Sequence, residues 1–182
     1  MTVLDLERWD RPADDHDRSL LDLCVGPTID VGCGPGRLAA GLAERGHVVL
    51  GIDVLGLAVG AAVRRGASAL RRDVFGRLPG EGRWATVLLA DGNLGIGGDP
   101  VALLRRMREL LAPQGRVVAE LAPPGTALDT GWATVRCGGT TTTLRWSVVG
   151  VDDVDALAAG AGFAVVGVRC LGNRWCTVLE AT

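Results

Sequence analysis

The chain has 182 residues, 48% of them hydrophobic and 22% charged, with a formal net charge of −2. That length suits one domain able to bury roughly two-thirds or more of its unfolded surface, and the composition is globular rather than disordered. All nineteen basic residues are arginine, against twenty-one acids, so the basic excess that phosphate-backbone binding needs is missing and nucleic acid is not an expected partner.

The first nineteen residues are acidic and lack an apolar run, which excludes a secretory leader. The longest apolar stretch, residues 48–63, is broken by Asp53 and three glycines and falls short of the about 20 residues a bilayer span takes. Neither membrane insertion nor membrane binding is expected. Five scattered cysteines, Cys24, Cys33, Cys137, Cys170 and Cys176, make no metal-ligand spacing, and there are only two histidines. The expectation is no metal, with reduced thiols in a cytoplasmic setting.

From residue 28 to about 121 strand-like and helix-like patterns alternate. Thr28–Gly32 reads as a strand, and Pro35–Arg45 as a helix with Leu38 and Leu42 on one face and Gly46 placed to end it. Val48–Ile52, Ala67–Arg71 and Trp84–Ala90 read as further strands, with a helix over Leu55–Arg65. Asp99 and Pro100 are placed to cap and open another helix, which Val101, Leu104, Met107 and Leu111 continue at helical spacing. A turn over Ala112–Gly115 leads into a strand over Arg116–Leu121. Such alternation specifies a doubly wound, mostly parallel sheet. Beyond Pro123-Pro124, Trp132–Cys137 and Thr140–Val148 read as a β-hairpin turning at Gly138-Gly139, inserted before a last helix over Asp152–Ala161. The final strands, Phe163–Cys170 and Arg174–Glu180, are joined at Gly172-Asn173 and must be antiparallel. In that register Cys170 faces Trp175, so Cys170 and Cys176 point to opposite faces and form no disulfide.

Ile29-Asp30-Val31-Gly32-Cys33-Gly34-Pro35-Gly36-Arg37 follows a strand and opens a helix. Glycines there allow a sharp turn and close approach of a ligand to the main chain, and helix-start amides attract anions. A dinucleotide fingerprint wants its third glycine at position 37, which is Arg37, so NAD is disfavoured.

The segment resembles the first motif of the class I S-adenosylmethionine-dependent methyltransferases, acidic-x-Gly-x-Gly-x-Gly, through Asp30, Gly32, Gly34 and Gly36. Asp53 stands where that family has an acid on the ribose hydroxyls, with Val54 beside it. Asp73 and Val74 stand where an acid and a backbone amide meet the adenine, and Ala90 where the fourth strand opens beside the transferable methyl group. Leu110-Leu111-Ala112-Pro113-Gln114-Gly115 is similar to the turn the family places before its fifth strand. The resemblance implies a Rossmann-like seven-stranded sheet with an antiparallel last strand, S-adenosyl-L-methionine as cofactor, and methyl transfer to a small-molecule acceptor. It covers residues 26–121 well. A single domain is expected over 1–182, with residues 1–25 as a cap and 122–182 on the substrate side. A catalytically silent S-adenosylmethionine-binding scaffold, or a cyclase using the cofactor, is the alternative.

The acceptor would be read by residues 1–25, 91–99 and 123–149. Asp91 is the candidate general base and Asn93 a candidate polar group for orienting the nucleophile; Asp91 could instead anchor its own loop. Gly92, Gly95, Gly97 and Gly98 either let that loop close over substrate or permit tight packing against the first glycine-rich turn. Trp132 and Trp146 could stack on a flat acceptor or pack the hairpin, while Trp9 and Trp175 read as packing residues. His16 could belong to a lid or to a surface helix, and His47 to a surface turn.

Overall fold

The computed structural model describes residues 2–137 and 139–182. Gly138, half of the expected hairpin turn, lies outside the described residues. The alternating segments form β2 (Thr28–Val31), α2 (Arg37–Glu44), β3 (Val49–Asp53), α3 (Gly56–Arg64), β4 (Ala69–Arg71), β5 (Trp84–Leu89), α4 (Pro100–Leu110) and β6 (Leu111–Leu121). They are preceded by β1 (Thr2–Asp5) and α1 (Asp15–Leu21), and followed by β7 (Asp129–Cys137), β8 (Thr140–Val148), α5 (Val154–Gly160), β9 (Phe163–Leu171) and β10 (Arg174–Ala181).

Seven strands make one sheet in the order β4-β3-β2-β5-β6-β10-β9. The first five are parallel, and β10 runs antiparallel to both β6 and β9. Strand order reverses between β2 and β5, and the crevice at their carboxyl ends is where ligands bind such sheets. Successive side chains of β5 serve opposite faces. Val87 and Leu89 pack with Leu103, Leu104 and Met107 of α4, whereas Leu88 packs with Leu20, Leu21, Leu38 and Leu42 of α1 and α2. At the start of α4 the Asp99 side chain accepts from the Ala102 amide at 2.9 Å, with Pro100 in the first turn. The last hairpin has the expected register, Leu171 opposite Arg174 and Cys170 opposite Trp175, with a bulge at Val178/Leu179 that the sequence did not suggest.

A second, three-stranded sheet has the order β1-β7-β8. β7 and β8 are the expected antiparallel hairpin, and β1 adds to β7 in parallel. That N-terminal strand was not expected, because four residues of an acidic segment carry too short a pattern to register. Residues 112–115 bulge out between Leu111, paired with Trp84, and Arg116, paired with Thr86. No described helix is long and apolar enough to cross a membrane.

Candidate active site

The turn after β2 is held open by backbone geometry that only glycine adopts freely. Gly32, Gly34 and Gly36 have φ of +73°, +53° and +82°. They serve different ends. A Cβ on Gly34 would touch nothing within 4 Å, so the turn leaves that side open. One on Gly36 would fall 2.5 Å from the Ala62 Cβ, so Gly36 lets α2 lie against α3. One on Gly32 would collide with the Asn93 amide at 2.7 Å.

Above the turn lies a cavity open on one side. Its floor comes from the carboxyl ends of the parallel strands and includes Gly32, Gly34, Asp53, Val54, Asp73, Val74, Asp91 and Asn93. Its roof comes from the N-terminal segment (Leu4, Leu6, Trp9) and the hairpin (Val135, Leu144, Trp146). Three of the expected cofactor residues are not in its wall. Gly36 packs the helices, Ala90 is buried in the core with Leu88, and Asp30 lies beneath the turn at 2% exposure.

The Asp53 carboxylate is fixed at both oxygens. Oδ1 accepts from the Leu55 amide at 2.8 Å and Oδ2 from the Gly34 amide at 3.0 Å. Burial raises its pKa against those donors. Asp73 accepts the Phe75 amide at 3.0 Å, and Val74 is buried beside it. Asp30 Oδ2 is buried without a hydrogen-bond partner. Burial, reinforced by the Asp91 and Asp53 charges, lifts this carboxyl to about 7 against the pull of Arg37 and the Ala39 amide.

Asp91, at φ 54°, is the one described non-glycine residue in the left-handed region. Its oxygens accept from Arg37 Nη1 and Nη2 at 2.7 and 2.9 Å and from Arg174 at 3.2 Å, while its amide donates to Glu120 at 2.7 Å. This favours the anchoring alternative over a free base, with guanidiniums as the anchors. Asn93 donates to the Val31 and Gly32 carbonyls at 2.8 and 3.0 Å, so its amide nitrogen ties this loop to the glycine-rich turn rather than reaching for an acceptor. The rest of the loop is fastened to β8. Gly97 donates to the Arg145 carbonyl at 3.1 Å, and Ile96 bridges Trp146. A Cβ on Gly95 would lie 1.8 Å from the Ser147 carbonyl oxygen. The loop glycines thus permit close packing, and against β8 more than against the turn.

Behind Asp91, outside the cavity, lies a cluster absent from the sequence reading. Asp17, 0% exposed, receives Arg37 Nη2 at 2.9 Å and Nε at 3.1 Å, Arg11 at 2.8 Å and the Asp14 amide at 3.1 Å, together with Arg174. Arg174 also spans Glu120 at 2.9 and 2.6 Å. Burial would raise the Asp17 carboxyl, but Arg37, the Asp14 amide and Arg174 outweigh it and hold it far below the usual carboxylate range. Only the Asp14-x-x-Asp17 spacing, a capping box realised at the start of α1, hinted that Asp17 was structural. His16 is exposed and sits over Gly172 outside the cavity. Among the described residues no group of three or more His, Cys, Asp or Glu could hold a metal ion.

Residues 28–115 match the family described as a methyltransferase domain. No curated protein sequence matches the chain. The fold is similar to that of a SAM-dependent methyltransferase from Bacteroides fragilis solved with S-adenosyl-L-homocysteine, at TM-score 0.79 and 22% identity, over 97% of this chain and 81% of that one. It is similar to the CcbJ methyltransferase from Streptomyces caelestis (0.71, 18% identity, 94% and 90% covered). A third likeness is to the 1,6-didemethyltoxoflavin-N1-methyltransferase from Burkholderia thailandensis (0.68, 19% identity, 92% and 79% covered).

Proposed function

We propose that this chain is a class I S-adenosylmethionine-dependent methyltransferase, as the methyltransferase-domain match over residues 28–115 supports, and that it transfers the cofactor's methyl group to a small-molecule acceptor in the cavity between its two sheets. The observation that carries the reading is a roofed cavity at the switch point of the sheet, with the glycine turn and Asp53 in its floor. A carboxylate offers about four lone-pair sites. Two on Asp53 take backbone amides, leaving one on each oxygen, which suits the paired hydroxyls of a ribose. The open face at Gly34 gives the cofactor close approach to the main chain, and Asp73 and Val74 stand at the adenine end. Two of the solved likenesses named above hold S-adenosylhomocysteine, and one of them also holds 1,6-didemethyltoxoflavin.

When bound, the cofactor supplies a sulfonium-activated methyl group, so the protein's task is positioning, which can contribute roughly 7–11 kcal/mol. Asp53 and the glycine turn hold the cofactor. Asn93 and the Arg37–Asp91 pair fix the loop that ends β5, and β1, β7 and β8 exclude water above it. On this reading Asp30 and Gly36 shape the turn from beneath and do not touch the ligand. All 182 residues serve one catalytic domain, with residues 1–25 and the hairpin as its substrate side.

Calorimetry tests the assignment. S-adenosylmethionine or S-adenosylhomocysteine should bind in the micromolar range with NAD much weaker. Asp53→Ala should weaken cofactor binding by about tenfold or more, because the hydroxyl donors lose a charged acceptor. Tighter NAD binding would sink the assignment, and unchanged affinity in the variant would mean that the ribose lies elsewhere.

A further inference from the structure

The two surfaces of the cavity differ in chemistry, and the difference constrains the acceptor. Resting on the methyltransferase reading of this site, we infer that the acceptor is an uncharged, planar, largely apolar molecule that presents a neutral nitrogen lone pair: an aromatic or heteroaromatic amine. Among the described residues the carboxylates of the wall are all on the floor, where the cofactor goes. The roof residues Leu4, Leu6, Trp9, Val135, Leu144 and Trp146 carry no charge. A carboxylate or phosphate set against them would lose its hydration without gaining a partner.

Planarity follows from the indoles. Trp146 is 8% exposed, its backbone is bridged to Ile96, and its ring reaches over Gly92, where a Cβ would lie 3.9 Å from it. It is therefore a fixed aromatic wall beside the loop that ends β5. Trp9 supplies a second indole from the N-terminal segment. Such rings favour offset or edge-on contact with a flat partner.

The nature of the nucleophile follows from the proton acceptors, because every titratable group that the described residues place in the wall is paired, covered by the cofactor or no base. Asp91 holds Arg37 and Arg174. Asp53 accepts two amides and Asp73 one, and on the proposed reading their remaining lone pairs are covered by the ribose and adenine of the cofactor. Arg37 and Arg72 are cations, and burial holds the Cys33 thiol protonated. Neither histidine lines the cavity. A neutral hydroxyl would have to lose a proton in order to react, and nothing here takes it. A neutral amine needs no such help. Its lone pair forms the new N–C bond, the C–S bonding pair stays on sulfur to give a neutral thioether, and the extra proton on nitrogen leaves afterwards to water.

Three probes on one carbocyclic ring system test this: a naphthylamine, the matching naphthol and the matching naphthalene carboxylate. By calorimetry on protein loaded with S-adenosylhomocysteine, the amine should bind at least ~10-fold tighter than the carboxylate, and Trp146→Ala should weaken it ~10-fold while moving S-adenosylhomocysteine affinity less than ~2-fold. With methyl-labelled S-adenosylmethionine at pH 7, transfer to the amine should exceed transfer to the hydroxyl by ~10-fold or more, and the hydroxyl rate should climb with pH as that probe ionises by itself. Equal rates at pH 7, a carboxylate that binds as tightly, a silent Trp146→Ala, or no probe binding or reacting would overturn the inference. Failure to bind S-adenosylhomocysteine at all would instead sink the proposed function beneath it.

Discussion

The Arg37–Asp91 pair is a wall with two unlike sides. On one side lies the cavity under Leu4, Trp9 and Trp146, whose apolar contacts are non-directional and are not used up by one another. On the other side Asp17, Arg174 and Glu120 make directional bonds, and nearly every donor points at a carboxylate of the same cluster. The recess on that side, lined by Arg11, Asp14, His16 and Arg174, is rich in charge, yet the charge is spent internally. A charged lining therefore marks the fastened side of this molecule, and the exchangeable surface is the apolar one.

Removing the shared member tests that contrast most severely. Arg37→Ala leaves Asp17, at 0% exposure, and Asp91 without their bidentate partner. Breaking a buried pair by deleting one member costs about 3–5 kcal/mol, so the midpoint of chemical denaturation should fall by a correspondingly large amount. A loss under about 1 kcal/mol would show that the cluster is loose and its charges available, which would dissolve the distinction between the two sides.

A second test uses the two buried acids, whose signs are opposite. Asp17 is held far below the ordinary carboxylate range, so its contribution to stability is present above about pH 4 and is lost as pH falls further. Asp30, buried and lacking a partner for Oδ2, is lifted to about 7. Between about pH 4 and that value the folded state holds a proton that the unfolded state has released, so Asp30 lowers stability as pH rises. Asp30→Asn should therefore gain on the native protein across that interval, with the difference in Tm flat below it and level again above. A difference that shrank with rising pH would mean that Asp30 is paired as Asp17 is.

How much of this was legible follows the reach of each signal. The glycine turn and the Asp99 cap sit at helix starts, where local geometry ties residue type to place, whereas Asp53 and Asp73 were singled out through the resemblance to a family pattern. The ionic cluster could not be read the same way. Asp17 and Arg174 meet across 157 positions of sequence, and an arginine looks the same on paper whether solvated or buried. The glycines of the loop after β5 promised backbone freedom, which Gly92, Gly97 and Gly98 use at positive φ, but the sequence could not show that Gly95 and Gly98 also admit contact with Ser147 and Arg145 of a distant strand. Trp132 and Trp146 looked like a pair until register separated them. Trp132 stands opposite Arg145 and Trp146 opposite Gly131, on alternate faces of the hairpin.

That separation supplies the smallest expected effect and the finest test of the apolar side. Trp132 is 57% exposed, it is absent from the cavity wall, and the Arg145 guanidinium lies over its ring at 5.4 Å. An exposed cation–π contact contributes about 0.5–1 kcal/mol, so Trp132→Ala should lower stability by no more than that. It should leave cofactor and acceptor affinities unchanged, because the side chain faces away from Val135 and Leu144. If Trp132→Ala instead weakened acceptor binding as much as Trp146→Ala, both faces of the hairpin would have to meet the ligand. The register that places Leu144 and Trp146 in the roof would then be wrong, and with it the apolar half of the comparison.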